Sequence, residues 1–180
     1  YYKGYILYRM RRAEHALPCL NRSLSLDPEA PAVLNHKAFC LEHLERYDEA
    51  VLSYRKSLRL RPTDLATRDH LAAALRKAGD LGEALTTTAL TLKLMPRRVK
   101  SLEQRAEVLR AMKRWEQAEE AFADLLREAP DRFNGWVSRG TINHRLGHIE
   151  RAVECLRHAV RLRPESIPAR NLLMRFLKQL

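Results

Sequence analysis

The sequence predicts an all-α chain made of stacked amphipathic helix pairs, and three observations carry that expectation. Pro28, Pro62, Pro96, Pro130 and Pro164 stand 34 residues apart. Small residues recur in the same phase: Ala16, Ala50, Ala84, Ala118 and Ala152 lie twelve places before each proline, and Gly4, Ala38, Ala72, Ala106 and Gly140 lie twenty-four before. Apolar residues recur at helical spacing inside each half-unit, as in Leu34, Ala38, Leu41 and Leu44, then Val51, Tyr54 and Leu58. A fixed period of this size marks one supersecondary unit repeated, and the 3.6-residue periodicity within it marks that unit as helical.

Each part of the unit follows from packing. Small residues belong where two helices approach closely, because a larger side chain would push the axes apart and open voids. Leu24, Leu58, Leu92, Leu126 and Val160 occupy one apolar place, and Leu7, Leu41, Leu75 and Leu109 another, at which Asn143 is the exception. A bulky residue opens the second helix in four units, as Tyr47, Leu81, Trp115 and Ile149, with Ala13 the weak copy. Glu45-Arg46, Gly79-Asp80 and Gly147-His148 read as turns between paired helices, glycine supplying the left-handed conformation that stops a helix. Proline ends each second helix because it lacks the N–H needed to continue it.

These signals place helix pairs over about 1–26, 30–60, 64–94, 98–128 and 132–162, followed by a last helix over about 166–179. The corresponding repeats run over 1–28 (partial), 29–62, 63–96, 97–130 and 131–164, with a terminal helix over 165–180. That helix points Leu173 and Leu177 inward and also carries Leu172, Met174, Phe176 and Leu180, so apolar surface is expected to stay uncovered there. The sequence opens without Met, inside a helix, and reads as a trimmed piece.

The period, the small-residue places and the terminal proline together resemble the tetratricopeptide repeat family over almost the whole chain. The resemblance implies a right-handed superhelical solenoid of antiparallel helix pairs whose first helices line a concave groove that receives a peptide or helix. It also implies which side chains face that groove. They are Tyr5 and Tyr8 with Tyr1, Tyr2 and Arg9; Asn35, His36, Phe39 and His43 with Glu42; and His70, Arg76 and Lys77 with Asp69. Lys100, Gln104 and Arg110 follow with Glu103 and Glu107, then Asn134, Ser138, Thr141, His144 and Arg145, and finally Asn171 and Arg175 with Lys178. Eight cations against four carboxylates make this face mildly basic.

Composition bounds the partners. The 180 residues carry 33 Lys and Arg, 25 of them Arg, against 22 Asp and Glu, a net charge of +11 that favours acidic partners. Arg59, Arg61, Lys93, Arg127, Arg161 and Arg163 are placed to offset the negative ends of second helices. Arg97, Arg98 and Lys100 form the densest cluster, open to an anionic contact. Cys19, Cys40 and Cys155 lack metal-ligand spacing and fall at packing positions, which suits a reducing, cytoplasmic setting. No apolar run is long enough to span a bilayer.

Neither a phosphate-binding glycine loop nor HExxH nor GxSxG is present, so no catalytic role, cofactor or metal is expected. His36 and His70 occupy equivalent places one repeat apart, on helices whose axes lie about 8–10 Å from each other, too far for shared ligation. They read as polar groove residues. The tyrosine run at the start reads either as an anchor for a partner or as a surface that a preceding half-repeat covers. The carboxylate-clamp pattern of chaperone-binding relatives fails in every register, since its Lys and Asn places hold Asn35 and Phe39, Asp69 and Ala73, or Glu103 and Glu107. The asparagine ladder of sugar-transferase relatives is replaced by His36, His70, Gln104 and Ser138.

The expectation is therefore a non-catalytic scaffold that binds an acidic or amphipathic segment of a protein partner, with self-association through solenoid ends left open. One alternative is a recruiting segment of a larger enzyme such as a transferase. Another is an electrostatic nucleic-acid-binding solenoid, disfavoured because no base-reading pair of side chains repeats from unit to unit.

Overall fold

A computed structural model describes all 180 residues, and every regular element in it is a helix. Five pairs follow in order: α1 (Tyr2–Arg9) with α2 (Ala13–Leu26), α3 (Pro31–His43) with α4 (Tyr47–Leu60), α5 (Leu65–Ala78) with α6 (Leu81–Leu94), α7 (Val99–Ala111) with α8 (Trp115–Glu128), and α9 (Phe133–Arg145) with α10 (Ile149–Leu162). A single helix, α11 (Ile167–Leu177), ends the chain. The chain divides into two compact units, Tyr1–Thr91 and Leu92–Leu180. In the first unit α1 packs on α2, α2 on α3, α3 on α4 and α4 on α5; in the second, α7 packs on α8, α8 on α9, α9 on α10 and α10 on α11. None of these helices is long and apolar enough to cross a membrane.

The small-residue places are where the backbones meet. Ala16, Ala38, Ala50, Ala72, Ala84, Ala106, Ala118 and Ala152 are all completely buried. A Cβ on Gly4 would sit 3.0 Å from the Leu20 side chain, and one on Gly140 would sit 3.2 Å from the Ala152 carbonyl oxygen. The largest core side chains stack at one position per pair: Leu20, Tyr54, Phe122 and Leu156 are essentially solvent-free. Thr88 takes that position in the third pair, where Thr87 and Thr91 are buried with it. The hydroxyls of Thr88 and Thr91 are partnered locally, Thr88 Oγ1 donating to the Leu85 carbonyl and Thr91 Oγ1 to that of Thr87.

Every first helix stops in the same way. Arg11, Glu45, Gly79, Lys113 and Gly147 all adopt positive φ, 34 residues apart. The next residue in each case returns its N–H to a carbonyl five residues back: Arg12 to Leu7, Arg46 to Leu41, Asp80 to Leu75, Arg114 to Leu109 and His148 to Asn143, at 2.9–3.0 Å. Gly79 and Gly147 take this conformation without steric cost, while Arg11, Glu45 and Lys113 hold it against their own Cβ. The two glycine turns and Glu45 were legible in the sequence; Arg11 and Lys113 share the place without the glycine that would announce it.

The prolines stand two residues beyond the second helices. The residue before each is thereby excluded from helical backbone, as Asp27, Arg61, Ala129 and Arg163 show with ψ of 77° to 92°. Arg61 and Arg163 consequently sit one residue past the last turn expected for them, and Arg163 instead lies over the Phe133 ring, 4.7 Å from its centroid.

One expectation is corrected inside the second unit. Phe176 is not left uncovered: it is 1% exposed and joins Ala152, Val153 and Leu156 in a core cluster, while Met174 and Leu180 remain exposed. His144, half-buried, is stacked on Phe176 of the next helix with centroids 4.0 Å apart, and its Nε2 lies 2.8 Å from Gln179 Oε1. Cys40 and Cys155 are buried as packing residues, their thiols pushed up to about 11 by burial, whereas Cys19 is only half-buried.

Asn143, the exception at a leucine place, is fully buried. Its Nδ2 donates to the Arg139 carbonyl at 3.0 Å and to Glu119 Oε1 at 3.3 Å, but its Oδ1 has no partner. Glu119 keeps the Arg139 guanidinium at 2.8 Å regardless. Asn143→Leu removes the orphaned oxygen and restores the residue found at the other four units, so it is expected to add about 1 kcal/mol, a rise of about 2–4 °C in melting temperature. Thermal denaturation followed by circular dichroism reads this directly, and a fall in melting temperature would show that Glu119 depends on the amide.

Candidate functional site

The first-helix face of the Tyr1–Thr91 unit is an aromatic and histidine array. Tyr5 and Tyr8 come from α1, His36, Phe39 and His43 from α3, and His70 from α5, each facing the same side because the helices repeat in register. The Tyr5 ring meets His36 edge-on at 5.0 Å, Tyr8 lies 5.6 Å from His36 and stacks on Phe39 at 5.8 Å, and Phe39 meets His70 edge-on at 4.7 Å. His43 flanks Tyr8 at 6.4 Å, and Tyr1 extends the row through Tyr5 at 6.2 Å and His36 at 5.7 Å. Tyr5, Tyr8, His36, Phe39 and His70 are half-buried, so each keeps part of its ring surface toward solvent, and His43 is exposed. His36 and His70 do not face one another as ligands; Phe39 stands against both.

Beneath the array lies a residue that the sequence reading left in the core. Tyr54 of α4 is fully buried, stacks on His70 at 6.1 Å and packs edge-on against Phe39 at 5.8 Å. Its hydroxyl donates to Glu42 Oε1 at 2.5 Å, and burial beside that carboxylate pushes the phenol pKa far up. Lys77 closes the group, with Nζ 3.9 Å from Glu42 Oε2 and 5.2 Å from the Tyr47 centroid. The available signal was the hydroxyl itself: at a place where other units hold Leu20, Phe122 or Leu156, a tyrosine needs a buried acceptor, and Glu42 reaches in to supply it.

Burial raises the Tyr8 phenol above its usual value and lowers the His36 imidazole, the latter against an opposing backbone hydrogen bond at Ala32. Tyr8 therefore keeps its proton as a hydrogen-bond donor. Arg9 donates to the Tyr5 hydroxyl at 2.9 Å, leaving the Tyr5 proton free to be given outward. At the same face Asn35 Nδ2 donates to Thr67 Oγ1 at 2.7 Å, and Thr67 donates in turn to Asp64 at 2.7 Å. Burial alone would raise the Asp64 carboxyl, but the Thr67 backbone and hydroxyl donors outweigh it and hold that group below its usual value. Asn35 Oδ1 and Arg76 Nε are buried without partners.

The first-helix face of the Leu92–Leu180 unit is different in kind. Lys100 pairs with Glu103 at 3.1 Å and Arg110 with Glu107 at 2.6 Å, so these cations are tied to acids on their own helix. The Arg97, Arg98 and Lys100 cluster is tied down similarly, Arg97 reaching Glu128 at 2.7 Å. Gln104, expected on the face, is only 5% exposed, and its Oε1 has no partner. Ser138 is half-buried and gives its carbonyl to the Thr141 hydroxyl at 2.8 Å. Arg145 lies over the Trp115 ring at 5.0 Å, and Arg175 over Phe176 at 5.4 Å. Asn134 and Asn171 are exposed, and Asn134 borders a small polar cleft with Glu103, Glu107 and Arg163.

The family model for the tetratricopeptide repeat matches residues 1–64 and 104–167. Among solved structures, MamA 41-end from Desulfovibrio magneticus RS-1 is 20% identical with a TM-score of 0.83, over 91% of this chain and 93% of that one. YrrB, described as a TPR protein with an unusual peptide-binding site, is 21% identical with a TM-score of 0.76, over 98% and 89%. TTC0263, a thermophilic TPR protein in Thermus thermophilus, is 20% identical with a TM-score of 0.72, over 97% and 95%. The curated proteins include no match. The family model covers well over half of the sequence and the helix pairs repeat with its period, so this chain belongs to the tetratricopeptide repeat family.

Proposed function

We propose that the first-helix face of this chain receives an extended or helical segment of a partner protein, with the aromatic array of the Tyr1–Thr91 unit as its anchor. Tetratricopeptide repeats serve generally as protein-interaction scaffolds. The observation that favours this face is the chain of ring contacts joining Tyr5, Tyr8, His36, Phe39 and His70 across three successive first helices, all partly open to solvent. Aromatic rings offer large contact area at small conformational cost, which makes them the side chains that dominate interface energetics. The cations bordering them, Arg9, Arg76 and Lys77, favour acidic positions in the same segment, so the ligand is amphipathic: apolar over the rings and acidic at their edge.

A displayed library of random peptides, selected on the whole chain, tests the reading. Enriched peptides are expected to lose about tenfold in affinity, on the order of 1.4 kcal/mol, on a Phe39→Ala variant, and to weaken on Lys77→Glu in proportion to their acidity. Enriched peptides that bind both variants as they bind the original chain would remove the face from consideration.

A further inference from the structure

We propose that the Tyr1–Thr91 unit carries a second docking surface, a groove along α4 that takes an amphipathic helix of a partner protein, apolar side chains inward and an acid beside them. The groove has a volume of about 650 Å³ and is lined by Leu52, Arg55, Leu58 and Arg59 of α4, Pro62 of the following turn and Leu71 of α5. Leu52, Arg55 and Arg59 stand three and four residues apart, which makes them one stripe about 10 Å long on α4. At about 100° per residue, Leu52 and Arg59 are turned roughly 140–160° away from Tyr54. The groove is therefore separate from the aromatic array that Tyr54 supports, and its occupancy does not depend on the reading of that array.

This groove departs from the pattern of its own repeat. Leu52 is 62% exposed, and the 34-residue period puts Pro18, Thr86, Glu120 and Glu154 at its place. Leu71 corresponds to Lys3, Lys37, Arg105 and Arg139, with Leu173 the one other leucine. Where Arg139 stands, Glu119 of the preceding second helix answers it at 2.8 Å, so that place is satisfied within the chain. Leucine at both places gives an apolar surface with no such internal answer. Packing does not demand Leu52, because the other pairs fold with a proline or a polar residue there.

The occupant follows from what the walls offer. Leu52 and Arg55 lie in the body of α4, where backbone N–H and C=O groups are already paired, so an extended segment laid there would leave its own backbone unmatched. A helix brings its backbone bonds with it and presents side chains at the spacing of the stripe. Arg55 is held by both carboxylate oxygens of Glu83 on α6, whereas the exposed Arg59 guanidinium meets no carboxylate of this chain. An acid on the docking helix supplies the missing counter-charge.

Other occupants fit less well. With Leu52 standing in solvent, the groove is too open to surround a small molecule, whose sites bury most of the ligand. A second copy of this chain would bring like charge to Arg59: its exposed Ile6, Leu90 and Met174 each lie one turn from a cation, Lys3, Lys93 and Arg170. Leu26 has Asp27 beside it, but it is a lone leucine at a helix end and cannot run along the stripe.

The test is a fluorescence-anisotropy titration of the full chain with three labelled helical peptides of about four turns. One carries leucines on one face with glutamates flanking them; in the second, lysines replace the glutamates; in the third, serines replace the leucines. The first is expected to bind saturably, and the other two at least about tenfold more weakly. Leu52→Thr installs the residue that α6 holds at this place and should weaken the first peptide about tenfold. Arg59→Glu should weaken it about tenfold in ~0.05 M salt and by less in ~0.5 M. Both substitutions fall at exposed positions and should leave the helical spectrum unchanged, and Phe39→Ala should leave this binding intact.

A first peptide that fails to bind, or that binds Leu52→Thr and Arg59→Glu with undiminished affinity, overturns the proposal. A loss confined to Phe39→Ala assigns the peptide to the first-helix face and overturns the groove alone. Equal binding of the lysine peptide overturns the acidic character of the ligand. Self-association of the chain in sedimentation that Leu52→Thr abolishes would make the occupant a second copy and overturn the partner helix.

Discussion

Phe122→Ala is expected to destabilise the Leu92–Leu180 unit by about 3–5 kcal/mol, the range for emptying a buried aromatic site. Phe122 is 1% exposed and fills the core position that Leu20, Tyr54 and Leu156 fill in their own pairs. The ring sits on α8, which packs against both α7 and α9, so the cavity opens where three helices meet and no one helix can close it by shifting. Phe122→Leu supplies the contrast. Leucine occupies this place in two other pairs, and a swap that keeps most of the volume costs below about 1.5 kcal/mol. Urea denaturation followed by circular dichroism measures both. Equal, small losses in the two variants would mean that the layer is loosely filled and that Phe122 is not its centre.

Gly140→Leu should cost about 3 kcal/mol, at the upper end of what forcing bulk into a packed contact entails. At this place α9 and α10 touch through main chain: an added Cβ would stand 3.1 Å from Leu156 Cγ, 3.2 Å from the Ala152 carbonyl oxygen and 3.4 Å from Cys155 Cβ. The carbonyl belongs to a helix and cannot rotate away, so a long side chain must push the pair apart. Gly140→Ala is the informative partner. Alanine gains about 1 kcal/mol in helix propensity over glycine, and Ala38, Ala72 and Ala106 show that the equivalent sites hold one methyl while completely buried. The gain and the tight contacts nearly cancel, and the alanine variant is expected to stay within about 1 kcal/mol of the original chain. A leucine variant as stable as the alanine one would refute the close approach.

The helix pairs were legible because each carries its own redundant marks: a proline after the second helix, small residues at the crossing, and apolar residues at helical spacing. What escaped was whatever depends on a partner distant in sequence. Phe176 looked like surplus apolar surface until α10 and His144 were seen to cover it, and Gln104 carries no local mark of its burial. Asn143 was visible as an exception, but its reason, the Glu119 carboxylate 24 residues earlier, was not. At the candidate site the resemblance to the repeat family placed the individual rings on one face. Their mutual contacts, and the Tyr54 hydroxyl that braces them through Glu42, required the packing of α3, α4 and α5.

The joints at Arg11, Glu45, Gly79, Lys113 and Gly147 are tied by backbone groups alone. No particular side chain is needed to make the knot, which is why an arginine, a glutamate, a lysine and two glycines can all stand there. Growth or shrinkage of such a chain by one whole 34-residue block would carry its own knot along and leave every remaining one in phase, whereas gain or loss of a few residues within a pair would throw the following crossings out of step.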